Sequence, residues 1–574
     1  MMLTSHMGTR WVDATHWEAI LDDIRELKDC TEALEQADDE LLLGTTEEES
    51  SGPTLLVVIL HVPTFYREYT QFWETQQAAP IAWVGLLFAI LGYTIFFYAR
   101  TGDSLPGTLG EPARVSEVYR TCAAQCLVLA NYTTPGRYKV EALLLYSGTE
   151  FLRTGDTQIG SSILGGIITR LAMHMGYHRD SKHYQNLSVF DGEMRRRVWA
   201  LIWQGDSLIS FQVGLPKTIP DLQCDTGLPH NLLDEDFDET TKALPLPRPM
   251  AKRTPVTYAI VKSKLMSVFG RIAQRSYSTT DTKHEEVAQL DEQLQIAHSS
   301  LPAFLRIRTM NMSIMDPADL IMQRYNLELL YQKARCVLHR RYLVLYRSDS
   351  RYAYSRWSCI DAATQILRYQ NEIYHETQPG GQLHRDRWFV TSLTSHDFLL
   401  AAMILCLELS SKSEQDSINA HLNSDTLTFD GRQELLHALE TSYSIWVAFI
   451  EVSPEARKAS KALEVMLQIA KKSYQGSVRS EEGSTGNPQS GLHSAHAGAT
   501  GGILSEETQI QRDMPGGTYS EHGEQRLDDL KMTRESMPIM MEGMFNASEE
   551  FDWNTWDSQI RNNSWESTDE PWMI

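Results

Sequence analysis

A stretch of 19 residues without a charge, residues 81–99 (IAWVGLLFAILGYTIFFYA), places the strongest constraint on this chain. A helix of that length is long enough to cross a lipid bilayer. The same composition is typical of a helix that is buried on all sides in a large helical core. Arg100 is the only nearby basic residue, so the orientation signal for membrane insertion is weak. We therefore predict a buried core helix and no membrane contact.

Apolar periodicity elsewhere predicts an all-α fold with a large multi-helix domain. In SSILGGIITRLAMHMGYHRD, apolar residues recur at every fourth position, namely Ile163, Ile167, Leu171 and Met175. Runs of the same kind continue to residue 472, and none alternates as a strand would. Gly165 and Gly166 lower helix propensity, so we expect them to let a neighbouring helix approach closely.

Composition divides the chain into four parts. Residues 1–50 carry a helix and an acidic linker, and residues 51–472 form the helical region. Residues 473–520 are rich in Gly and Ser, which predicts a disordered linker. Residues 521–574 form an acidic-aromatic tail.

The tail is a candidate transactivation segment. It holds 13 acidic and 4 basic residues, a large part of the chain's net charge of −23. Acidic residues mixed with bulky apolar ones are typical of a disordered segment that docks through a few anchors. The candidate coactivator anchors are Phe551, Trp553, Trp556, Trp565 and Trp572.

Charge and cysteine spacing argue against several functions. The negative net charge disfavours a general affinity for nucleic acid or anionic membranes. Seven scattered cysteines without a C-x-x-C fit a reducing compartment and exclude a thiolate zinc site. His174 and His178 have helical spacing but no third ligand, so we predict that they belong to the core. We predict no metal and no cofactor in this chain.

The segment EMRRRVWALIWQGDSLISFQVGLPKTIPD (193–221) begins with three consecutive arginines. They lead into an apolar helical stripe that contains Trp199 and one acid, Asp206, and Gly214 and Pro216 then end the helix. Since this stripe is buried and the protein is acidic, we predict that the arginines are structural and do not contact DNA. We expect a buried Asp206 to pair with an arginine of another helix, the candidates being Arg170 and Arg179.

This segment, preceded by ITRLAMHMGYHRD, resembles the middle homology region of fungal zinc binuclear-cluster (six-cysteine) transcription factors. The family pattern is an arginine-rich start, a Trp, an Asp two turns later, a Gly-x-Pro and an acidic loop. Gly205 and Leu215 depart from it, where leucine and arginine are usual. HWEAILDDIRELKD, IAWVGLLFAIL and ARCVLHRRYLV extend the likeness over residues 10–472. The family-signature residues, with structural roles, are Arg195, Arg196, Arg197, Trp199, Asp206, Gly214 and Pro216.

The resemblance implies a nuclear regulator of RNA polymerase II transcription, of a secondary-metabolite or nutrient-use gene set. Family members bind DNA through an N-terminal six-cysteine zinc cluster, which this sequence lacks. We therefore expect either a truncated gene product or a protein that reaches DNA through a partner. The other expected partners are coactivators at the acidic tail, a second subunit in a homo- or heterodimer, and a small-molecule effector.

An enzyme is the alternative from a different class. Isoprenoid synthases are all-α and hold magnesium with clustered aspartates, and Asp22-Asp23-x-x-Glu26 resembles such a motif. The acidic run at residues 234–239 is a second cluster. A matching Asn, Ser and Glu motif on a later helix is missing from the sequence, so we predict that the protein is not an enzyme.

Overall fold

The computed structural model describes residues 3–5, 8–10, 54–75, 79–101, 110–154, 159–220, 223–276, 284–346, 349–384, 392–410, 429–450 and 454–482. Regular structure in these ranges is helical, apart from one antiparallel pair of short strands, β1 (Leu3–Ser5) and β2 (Gly8–Arg10). The predicted all-α class is confirmed, with this hairpin as an addition.

The first helices of the described chain surround one apolar core. They are α1 (Thr54–Ile59), α2 (Val62–Glu74), α3 (Ile81–Thr101), α4 (Pro112–Leu129), α5 (Lys139–Thr154), α6 (Ile159–His174) and α7 (Val189–Val213). Helix α3 packs against both α4 and α5. It is long and apolar enough to cross a membrane, yet 83% of its most apolar window is buried inside the fold. The uncharged segment is therefore the central core helix that the sequence predicts.

Two glycines let α3 approach α4 closely. A Cβ atom on Gly85 would lie 3.0 Å from the Cβ atom of Cys126, and one on Gly92 would lie 3.3 Å from the backbone nitrogen of Arg120. The side of α3 that carries them therefore admits no larger residue without a shift of the neighbouring helix.

The remaining helices build a second and larger apolar core. They are α8 (Thr257–Ser276), α9 (His284–Ser299), α10 (Met310–Ser313), α11 (Ala318–His339), α12 (Tyr342–Leu345), α13 (Ala353–Glu376), α14 (Ser392–Ser410), α15 (Phe429–Ala448) and α16 (Pro454–Glu482). Helix α13 packs against α11, α14 and α15 and forms the centre of this core.

Helix α7 joins the two cores. The partly buried indole of Trp203 packs against both apolar clusters. The side-chain amide of Gln204 donates to the carbonyl of Ala259 (2.9 Å) and to the hydroxyl of Ser263 (2.7 Å), which fixes α7 to α8. The helix that carries the three arginines thus contacts both cores and connects them.

The predicted boundaries of the helical region differ from the helix ends. The sequence predicts this region over 51–472, whereas α16 continues to Glu482, ten residues into the predicted linker. The predicted N-terminal helix, the remainder of the linker and the acidic-aromatic tail lie outside the described residues.

Candidate functional site around the three arginines

The arginines lie in the first turns of α7. Ser188 begins this helix, since its hydroxyl accepts the backbone N–H of Asp191 at 2.9 Å. Gly214 ends it in the left-handed conformation, with φ of 71°. In this conformation the backbone N–H of Gly214 donates to the carbonyl of Phe211, and that of Leu215 donates to the carbonyl of Ser210, in the last turn of the helix. Pro216 follows, exposed at the start of the loop that leaves the helix.

Arg197 is completely buried and holds the acidic loop. One Nη donates to the carboxylate of Asp234 at 2.6 Å, and the guanidinium lies 5.0 Å from the ring centre of Phe237. Asp234 also accepts the backbone N–H of Val62 at 2.9 Å, at the start of α2. The imidazole of His61 lies within hydrogen-bond distance of the carbonyls of Asp234 and Phe237. Arg197 therefore connects three segments that are distant in sequence.

Arg196 forms a two-point ion pair with Asp180. Its Nε and Nη2 atoms donate to the two carboxylate oxygens at 3.2 and 3.0 Å. Asp180 also accepts the backbone N–H groups of Gly227 and Lys182. Burial by itself raises the pKa of Asp180, but Arg196 and the two N–H donors outweigh burial and hold that pKa well below its ordinary value.

Glu193 is the buried acid of this cluster. One of its oxygens accepts the backbone N–H of His230 at 2.8 Å, and the other lies 2.6 Å from Nδ1 of that histidine. Arg196 lies 3.5 Å from the same carboxylate. Through His230, Leu232 and Asp234, the loop that follows α7 is thus attached to Glu193 and Arg197 of that helix.

Arg195 binds the chain just after the preceding helix, α6. Its Nη1 donates to the carbonyl of Met175 at 3.1 Å, just beyond the end of α6, and its guanidinium lies 4.9 Å from the ring centre of Tyr177. The hydroxyl of Tyr177 in turn donates to Glu141 of α5 at 3.1 Å. All three arginines therefore bond within the fold, as the structural interpretation of this run requires.

Asp206 pairs differently from the expectation. Its two carboxylate oxygens accept the backbone N–H groups of Thr218 (3.0 Å) and Ile219 (2.9 Å). The expected partnership with Arg170 or Arg179 is wrong, because the loop folds back after Gly214 and presents its own N–H donors. Arg179 pairs with Asp225 instead, at 3.1 Å.

Trp199 lies in the first core, as the helical stripe predicts. Its side chain is buried, and its ring lies 6.3 Å from that of His178. Helix α6 ends at His174, so His174 and His178 do not share one helical face. His174 is exposed, so the prediction that it belongs to the core is wrong, whereas His178 is partly buried next to Trp199.

The histidine pair and the acidic run are the metal and enzyme candidates that lie within the described residues. Within the described ranges, His, Cys, Asp and Glu residues form no group of three or more that could hold a metal ion. The acidic run is used by the fold: Asp234 pairs with Arg197, Asp236 with Arg248, and Glu239 with Arg67. The motif Asp22-Asp23-x-x-Glu26 lies outside the described residues.

Comparisons with known proteins agree with this description. A model of the fungal specific transcription factor domain matches residues 55–301. The chain is 40% identical to the Zn(2)-C6 fungal-type transcription factor pigI of Monascus ruber, over 82% of this chain and 62% of that protein. It is 38% identical to the Zn(2)-C6 fungal-type transcription factor mpsB of Macrophomina phaseolina, over 81% of this chain and 68% of that protein. The Equisetin cluster transcription factor eqxF of Fusarium heterosporum is 36% identical, over 80% of this chain and 71% of its own length.

Proposed function

The chain belongs to the Zn(2)-C6 fungal-type transcription factor family, and from this premise we propose that it regulates RNA polymerase II transcription in the nucleus. Its target is a secondary-metabolite gene set, since eqxF is named for such a cluster. The protein is not an enzyme. The single observation that supports the regulatory role is the relationship itself, which extends over most of this chain.

The three arginines of the helical region hold segments of the fold together, so they are not available to bind DNA. We therefore propose that the chain reaches DNA through a zinc-cluster module or a partner protein, and that this module holds the family's zinc. The chain spans less than two thirds of the length of the Monascus relative.

The acidic-aromatic tail supplies the coactivator contact in this proposal. Net negative charge keeps such a segment soluble, while Phe551 and the four tryptophans, Trp553, Trp556, Trp565 and Trp572, dock into apolar pockets of a coactivator.

A reporter assay tests the proposal. The full chain is fused to an unrelated DNA-binding domain, and transcription is measured from a promoter that carries the matching sites. We expect activation, and we expect replacement of the four tail tryptophans by alanine to reduce it at least about tenfold, since buried Trp anchors carry about 2 kcal/mol or more each.

The matched control changes four polar residues of the same segment to alanine, namely Asn554, Gln559, Asn562 and Asn563. This variant should activate like the parent fusion. A fusion that expresses at normal levels and does not activate would overturn the activator role, and equal activity of the tryptophan variant would overturn the anchor role.

A further inference from the structure

An open cleft of about 430 Å³ lies along one face of α6. Ile163, Gly166, Ile167, Arg170 and His174 line it. Apart from the adjacent pair Gly166 and Ile167 they are spaced three or four residues apart, so they follow one side of the helix for roughly 16 Å. Its volume lies within the range of small-molecule sites, roughly 300 to 1,000 Å³.

No described residue covers the helix face in the cleft. The expectation that Gly165 and Gly166 admit a neighbouring helix is wrong for the described helices, because a Cβ atom added to either glycine would meet none of their atoms within 4 Å. Ile163 is 60% exposed on the same face. An apolar surface next to empty space favours an apolar occupant.

The other end of the cleft is cationic and polar. Arg170 is exposed and makes no ion pair with any carboxylate of the described residues, and exposed His174 lies one turn further along. A guanidinium is always charged and matches the geometry of a carboxylate. The occupant that fits both ends is therefore an amphipathic anion.

The family-signature residues fix the walls of this cleft. Asp206 binds the N–H of Thr218, which places that threonine at the rim. Arg195 binds the carbonyl of Met175, next to His174 at the end of α6. Thr133 completes the rim from the turn after α4, where its hydroxyl donates to the side chain of Asn131 at 2.9 Å. A rim that is fixed in this way is preorganised for a ligand.

We propose that the α6 cleft binds a small amphipathic carboxylic acid, whose apolar chain lies against Ile163 and Ile167 and whose carboxylate pairs with Arg170. Thr218 offers a hydroxyl group for a further polar contact at the rim. Because the cleft adjoins the network that holds α6 to α7, an occupied cleft stabilises that junction.

Calorimetric titration of the full chain tests this site, with decanoate as the probe and decylammonium as the probe of opposite charge, both below micellar concentrations. We expect saturable binding of one decanoate per chain, with decylammonium at least about tenfold weaker. Arg170→Gln should weaken decanoate about tenfold. Arg271→Gln, at an exposed arginine of α8, is the matched control and should change the affinity by less than about twofold.

A second pair of variants blocks the space itself. Gly166→Phe places a ring in the cleft, whereas Gly165→Phe adds the same ring at the neighbouring position, which does not line the cleft. Both positions have open space, and both changes remove a helix-weakening glycine, so both variants should fold. We expect Gly166→Phe to abolish decanoate binding and Gly165→Phe to retain it.

Three results would overturn the proposal: absence of saturable decanoate binding, equal affinity for decylammonium, or undiminished decanoate binding by both Gly166→Phe and Arg170→Gln. None of these measurements uses transcription as a readout. Failure of the binding site is therefore distinguishable from failure of the proposed function.

Discussion

Replacement of Arg197 by methionine tests whether the arginine run is structural. The change keeps an unbranched side chain over the ring of Phe237 and removes the charge that pairs with Asp234. Loss of one partner of a buried ion pair costs about 3 to 5 kcal/mol. Asp234 keeps the N–H of Val62 and is 13% exposed, so we expect the lower end, about 3 kcal/mol.

Urea unfolding of the full chain, followed by circular dichroism and tryptophan fluorescence, measures this loss. Amide hydrogen exchange locates it: protection should fall around Val62 and in residues 230–239, which Arg197 holds together. Arg67→Met is the matched control. Its ion pair with Glu239 is exposed at both ends, so its loss should cost less than about 1 kcal/mol.

The second change, Arg197→Met with Asp234→Asn, removes both charges and leaves an acceptor for the N–H of Val62. It should recover at least about 1 kcal/mol, because the stranded carboxylate accounts for much of the loss. If Arg197→Met destabilises the chain no more than Arg67→Met does, or if exchange in the acidic loop is unchanged, the structural interpretation fails.

Two further substitutions test the same region. Asp180 has a lowered pKa in the folded chain, so its charge stabilises the fold above the unfolded pKa of about 3.9 and ceases to do so as pH falls toward the folded pKa. The gap between the urea midpoints of wild type and Asp180→Asn should therefore shrink from pH 7 to pH 3, and a constant gap would contradict this assignment. Gly214→Ala forces a side chain into the left-handed conformation and should lower the free energy of unfolding by about 1 kcal/mol, whereas Gly205→Ala, within α7, should not.

The sequence predicts those features that depend on one helix at a time. An uncharged helix of the length of α3 is stable either in a lipid bilayer or in a protein core. The other helices of this chain are numerous enough to provide the core. The burial of Trp199 follows in the same way from the periodicity of α7. The structural role of Arg197 was inferred from the apolar stripe that follows it, which requires no knowledge of its partner.

Features that depend on how segments meet are not accessible in this way. The apolar stripe around Asp206 predicts that this acid needs a partner, but the identity of the partner depends on the path of the loop after Gly214. That loop supplies backbone N–H donors, which no pattern of side chains reveals. Asp180 and Asp234 lie in the segment before α7 and in the acidic run after it, and nothing in their spacing assigns one to Arg196 and the other to Arg197. Ion pairs between loops are set by tertiary packing.

The glycines of α6 show the same limit of sequence-based prediction, and their placement bears on the roles of Asp206 and Arg195. Propensity indicates that Gly165 and Gly166 weaken the helix, but it does not say whether a helix or empty space faces them. In α3 the glycines face a helix, whereas in α6 Gly166 lines the cleft and Gly165 has open space among the described residues. Asp206 and Arg195 hold the rim and the end of α6 respectively, so two of the residues predicted as family-signature residues also hold the cleft walls. A ligand in that cleft would therefore act on the same contacts that hold α6, α7 and the following loop together.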